Sequence, residues 1–168
     1  IFANDYIVIP MTAGPISVAY RFDGLKQKVS ASSKKTTSAT LRLNGEVLCG
    51  IYTGSIKKWN DAKIKALNPL ITNLTATDII VNGRSDSSGT TFIFASYLGK
   101  SATAAQKNCG YESNFVSNTS TTFSGTAGTF APAKTQPGTY FGAMRTANGA
   151  AAIVGGDGNA GVAANIAG

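Results

Sequence analysis

The 168-residue sequence contains no histidine and only two cysteines, Cys49 and Cys109. Without histidine, Ser-His-Asp and Cys-His nucleophile activation and histidine-ligated zinc are excluded, along with the commonest general base. Two thiols cannot supply a four-cysteine metal site, so no metal is expected. No apolar run is long enough to cross a bilayer. Charge is also scarce, at 14% of residues against about a quarter in an average domain. The 19 glycines, with many Ser, Thr, Ala and Asn residues, fit a loop-rich exported protein better than a cytosolic helical one. In an oxidising compartment Cys49 and Cys109 are expected to pair, the other reading being two buried thiols. The chain begins at Ile1 without Met or a signal-peptide pattern, which reads as a mature form or an internal fragment.

What charge there is leans basic. Fifteen Lys and Arg face eight Asp and Glu, a formal net charge of +7. Such a surface attracts nucleic acids, anionic membranes and small anions. Many of the cations fall within Lys26–Arg42 and Lys57–Lys65, and neither stretch is interleaved with aromatics as a single-strand-binding groove would be. These clusters read as solvated surface, and nucleic acid is not expected as a partner.

The length suits one domain with a real core. Tyr6–Ile9, stopped by Pro10, and Ile16–Tyr20, after the Ala13-Gly14-Pro15 turn signal, are strand candidates. Residues 26–40 are basic and hydroxyl-rich without a core-forming pattern, and read as a mobile surface loop. Leu43, Val47, Leu48, Ile51 and Tyr52 recur at helical spacing, with Gly54 as the stop. Asn60-Asp61 can cap a short helix through Ile64 and Leu67, ending before Pro69, and Trp59 beside it reads as a core anchor. A strand at Ile79–Val81 precedes a helix at Thr90–Leu98. Ala150–Val154 reads as one further apolar element, followed by a glycine-rich turn at Gly155–Gly161 and a helix start. Strands separated by helices argue for an α/β domain with much parallel pairing, in which ligands sit beyond the carboxyl ends of the strands.

One stretch lies where such a ligand belongs. Arg84-Ser85-Asp86-Ser87-Ser88-Gly89-Thr90-Thr91 joins the Ile79–Val81 strand to the following helix. A helix N-terminus offers unpaired N–H groups and the positive end of the macrodipole to an anion. Arg84 supplies a permanently charged planar fork, Ser88 and Thr90 supply hydroxyls and backbone N–H groups, and Gly89 lets the backbone come close. Asp86 either pairs with Arg84 and fixes the fork or accepts a proton carried by the ligand. A serine-rich cap with an incidental ion pair remains the alternative. The stretch is neither a Walker A loop nor a Gly-x-Ser-x-Gly elbow, and a Ser88 nucleophile would lack an ordinary base, so no catalytic residue is assigned. The Gly155–Gly161 stretch carries no basic residue and reads as a tight turn capping a helix.

Three blocks carry a resemblance. Ile51–Asp61, Ile64–Pro69 and Gly83–Phe92, in this order and spacing, resemble the phosphate-binding proteins of bacterial phosphate ABC importers and the related DING proteins. Gly158–Val162 resembles a later block of that family, and Cys49 and Cys109 resemble a disulfide pair of the DING branch. The resemblance implies a type II periplasmic-binding-protein-like fold, a Venus flytrap of two α/β lobes with mixed, mostly parallel sheets flanked by helices. It implies inorganic phosphate as ligand, held by Arg84, Ser88, Gly89 and Thr90 with Asp86 behind Arg84, and no cofactor. It further implies a periplasmic or secreted, non-enzymatic binding protein that serves a membrane permease. Residues 1–168 would form most of the second lobe, with 1–10 near the interdomain hinge and the first lobe absent. The rest of the family's site, including a proton-accepting carboxylate, would lie on that absent segment. A DING-type protein with phosphatase-like activity and a binder of another tetrahedral oxyanion are the alternatives.

Overall fold

Local capping signals set the first helices. In the computed structural model, which describes residues 14–86, 88–101 and 145–168, helix α1 spans Gly45–Thr53. Asn44 caps it, its Oδ1 accepting from the Val47 N–H at 2.9 Å. Gly54 ends it in the left-handed region at φ 81°, a conformation that favours glycine. Helix α2 spans Ala62–Leu67 and is capped by Asp61, whose side chain accepts from the Lys63 N–H. Asn68 closes this helix as a buried, fully engaged amide. It donates to the carbonyls of Ile64 and Arg42 and accepts from the Arg42 N–H, each at 2.8 Å. Both helices thus follow the sequence reading.

The basic segment 26–40 differs from that reading. Strands β1, Lys26–Lys28, and β2, Thr36–Ser38, pair antiparallel with Gln27 opposite Thr37, so the expected loop is an exposed hairpin. Its stability is backbone-borne, which its polar side chains do not reveal. Lys28 N–H donates to the Leu70 carbonyl and Thr72 N–H to the Lys26 carbonyl, tying the hairpin to the chain after α2. The expected strand at Ile16–Tyr20 is likewise corrected. Residues 14–22 form no regular element, and Ile16 and Val18 are exposed. The candidate strand Tyr6–Ile9 lies outside the described residues.

Strand β3, Asn82–Arg84, begins just beyond the apolar run that signalled it. Ile79 and Val81 are buried in the core and lead into the strand. β3 pairs in parallel with β4, Val154–Gly156, with Arg84 in register with Gly156. Of the apolar stretch 150–154, only Val154 belongs to the strand, and Ile153 is buried beneath it. Helix α3, Gly89–Ser101, follows β3, and helix α4, Gly158–Ala167, follows β4 and packs on both strands. The core joins Val47, Leu48 and Ile51 of α1 to Ile64 of α2, Leu98 of α3, Ile79, Val81 and Ile153. Each such side chain contributes about 1.5–3 kcal/mol by leaving water. Tyr52 of α1 meets Phe94 of α3 edge-on at 4.9 Å between ring centroids. Trp59 packs against the core, with Phe22 edge-on to its ring at 5.7 Å, as the anchor reading requires.

Candidate oxyanion site beyond two parallel strands

Parallel pairing places two strand-to-helix turns side by side, one after Arg84 and one after Gly156. Arg84 ends β3, and the bend that follows turns Asp86 back onto it. The Arg84 Nε donates to Asp86 Oδ1 at 2.5 Å, and Nη2 donates to Oδ2. The pair is largely covered, with side chains 18% and 23% exposed. This hydrogen-bonded pairing holds the Asp86 carboxyl well below the usual carboxylate range and raises the Arg84 pKa. Of the two roles open to Asp86 in the sequence, the geometry has it fixing the fork.

The second turn completes the arrangement. Arg84 Nη1 donates to Asn159 Oδ1 at 2.8 Å, and Asp86 Oδ1 also accepts the Gly158 N–H at 3.1 Å. Gly158 opens α4 at φ 64°. Asp157, the residue at the helix cap, makes no side-chain capping bond of its own, so Asp86 supplies one from the neighbouring turn. A guanidinium has five N–H donors. Asp86 and Asn159 take three, and among the described residues the other two remain for a ligand.

Ser88 is buried and caps α3, its Oγ accepting from the Thr91 N–H at 3.2 Å, which leaves the hydroxyl hydrogen to be donated. Gly89 and Thr90 follow at the exposed start of the helix, where backbone N–H groups lack intrahelical partners. A Cβ built on Gly89 meets nothing within 4 Å, so open space lies over this glycine. Gly156 is the opposite case. A Cβ there would lie 2.4 Å from the Gly161 carbonyl carbon and from the Val162 nitrogen. The Gly155–Gly161 stretch is therefore a turn whose glycines bring strand and helix backbones into contact. Two cavities of about 420 and 400 Å³, one lined by Tyr20, Trp59 and Ile79 and the other by Ile16, Ile93 and Tyr97, include neither Arg84 nor Ser88. The paired turns lie outside both cavities.

The sequence model of the family described as PBP superfamily domain matches residues 2–166. The chain belongs to the PBP superfamily. Among curated relatives, the phosphate-binding protein PstS of Pasteurella multocida is 49% identical over 74 residues, 44% of this chain and 21% of that protein. PstS of Haemophilus influenzae is 53% identical over 60 residues, 36% of this chain and 18% of that protein. The phosphate-binding protein PstS3 of Mycobacterium bovis is 35% identical over 130 residues, 77% of this chain and 31% of that protein. The chain thus spans about a fifth to a third of the length of these relatives.

Of the five residues named from sequence, the structure pairs Arg84 with Asp86, while Ser88 and Gly89 stand at the start of α3. Thr90 follows on the exposed first turn. Two contributors escaped the sequence reading. Asn159 reaches Arg84 from 75 positions away, and its signal was an amide at a helix start set beside a turn already rich in donors. Arg145 is 1% exposed and donates to three carbonyls, those of Ala151 at 2.7 Å, Ile79 at 3.1 Å and Ile51. It thereby ties the end of α1 to the segments that lead into β3 and β4. Burial lowers the Arg145 pKa, and the Tyr52 phenol is raised by its own burial, which outweighs the opposing pull of the Arg145 charge. Cys49 is buried and disulfide-bonded, and Cys109, its expected partner, lies outside the described residues. Among the described residues no three Cys, Asp or Glu side chains gather where a metal could bind.

Proposed function

We propose that this PBP-superfamily domain binds inorganic phosphate at the paired turns, with Arg84, Ser88, Gly89 and Thr90 as donors and Asp86 holding Arg84. The reading rests above all on one observation. Arg84 is clamped by Asp86 and Asn159 with two N–H donors left open among the described residues, and a Ser88-capped helix start follows it in the chain. A charged fork fixed in advance loses little freedom when it meets a planar pair of anion oxygens, and helix N–H groups complete the cradle. The relatives named as phosphate-binding proteins support phosphate over other tetrahedral anions.

The domain acts in this reading as a binding component without a catalytic residue, working outside the cytoplasm and handing phosphate to the permease of an ABC importer. Residues 1–168 form most of the second lobe of a two-lobed protein, and residues 1–10, expected near its hinge, lie outside the described residues. The facing lobe, outside this sequence, supplies the remaining ligands, including a carboxylate acceptor. Phosphate carries a proton at neutral pH and sulfate does not, so such an acceptor bonds the first and repels the second.

Titration calorimetry of the intact protein with phosphate and with sulfate tests the proposal. Phosphate is expected to bind far more tightly than sulfate, and equal weak heats for both would remove phosphate as the ligand. Arg84→Ala is expected to cost about 2–5 kcal/mol of phosphate affinity, because the anion loses its charged partner.

A further inference from the structure

We infer that Asn159 is a positioning residue for the anion, setting the Arg84 fork from the neighbouring turn, and that its being a neutral amide keeps the cradle receptive to negative charge. The inference rests on the phosphate reading and extends it to the second turn.

Asp86 engages Nε and Nη2 of Arg84, which fixes the plane of the guanidinium on one side only. Nη1 is held separately by Asn159 Oδ1 at 2.8 Å. The two holds come from different turns, and Asp86 joins them by accepting the Gly158 N–H, one residue before Asn159. Asn159 is itself set by the backbone contact of Gly156 with Gly161, which leaves α4 no room to move toward the strand. The fork is thus fixed at both ends.

The choice of amide over carboxylate carries the second half of the inference. Arg84 and Asp86 offset one another, and Asp157 at the α4 cap already sets a further negative charge near the guanidinium. A carboxylate at 159 would give Arg84 a second hydrogen-bonded carboxylate, add to the negative charge that Asp86 and Asp157 already supply, and oppose an incoming oxyanion. An amide accepts the same hydrogen bond and adds no charge. Helix stability pulls the other way, since an acidic side chain in the first turn of α4 interacts favourably with the helix dipole. Stability and ligand binding therefore make opposite demands on this position.

That opposition gives the test. Phosphate affinity and melting temperature would be measured for the intact wild-type protein, Asn159→Ala and Asn159→Asp. Asn159→Ala is expected to bind phosphate about threefold to tenfold more weakly, through loss of one charge-assisted hydrogen bond. Asn159→Asp is expected to bind at least about tenfold more weakly than Asn159→Ala while melting no lower than wild type. A role confined to the helix would leave affinity unchanged and raise the melting temperature of the Asp variant. Wild-type affinity in either variant overturns the inference. Absence of phosphate binding by the wild-type protein would instead remove the phosphate reading itself, so the two failures are distinguishable.

Discussion

The turns after β3 and β4 have the same local plan, a strand running into a helix start, yet they solve the capping problem in opposite ways. The β3 turn is self-sufficient. Ser88 caps α3 from within, and Asp86 folds back onto Arg84. The β4 turn is bare, since Asp157 makes no side-chain cap and glycines replace bulk. It borrows its cap from Asp86 and lends Asn159 to Arg84 in return. A turn without a basic residue can therefore be bound into the surroundings of an arginine as fully as the turn that carries it.

Substitutions can break this pairing, the largest effect coming from its common root. Arg145 donates to carbonyls preceding both strands and to that of Ile51 in α1, so Arg145→Ala removes three hydrogen bonds, with the Ile51 carbonyl keeping the Gly54 N–H. A loss of about 3 kcal/mol or more in unfolding free energy is expected by chemical denaturation. If both turns hang from this residue, phosphate affinity of the folded remainder falls as well.

Glycine substitution separates the two turns more sharply. Gly156→Ala puts a methyl against the backbone of Gly161 and Val162, which cannot swing aside as a side chain would. About 1–3 kcal/mol of stability should be lost. Gly89→Ala meets open space at a helix start, so its thermal stability is expected to stay within about 1 kcal/mol of wild type. Its phosphate affinity should nevertheless fall, because the new methyl occupies the approach to the cradle. Equal stability losses in both variants would contradict the assignment of one glycine to packing and the other to ligand.

The smallest effect is the pH dependence of the shared cap. The folded-state pKa of Asp86 is depressed by its bond to Arg84 and, less strongly, by the Gly158 N–H. Its contribution is then fully present above the ordinary carboxylate pKa of about 3.9 and is lost as pH falls toward the depressed value. The difference in melting temperature between wild type and Asp86→Asn should be constant above about pH 5 and narrow below about pH 4. A difference independent of pH across that window would show that the carboxylate's charge plays no part in joining the turns.

What could be read from the sequence was what neighbouring residues decide. Asp61 and Gly54 mark helix ends because capping acts within one turn of chain, and the Arg84–Asp86 pair and the Ser88 cap were legible for the same reason. The hairpin at 26–38 was not, since its hydrogen bonds run to Thr36–Ser38 and to the chain at 70–72 through backbone groups every residue possesses. Arg145 and Asn159 were hidden by distance along the chain. Their roles exist only once α1, β3 and β4 are packed, and the glycine-rich pattern around Asn159 marks a turn without showing that its amide reaches Arg84. The β3 boundary shifted because Ile79 and Val81 are apolar for burial, while the ladder itself forms over Asn82–Arg84.

The contact between Gly156 and Gly161 has a mechanical consequence. Side chains packed between two elements act as springs, because each can change rotamer and let the elements slide. Here main chain lies on main chain with nothing between to compress or reorient. The β4 end and α4 therefore move as one stiff plate, and Asn159 travels with it. Any hinge motion of the domain must be absorbed elsewhere, and the Asn159 hold on Arg84 stays in the same place throughout.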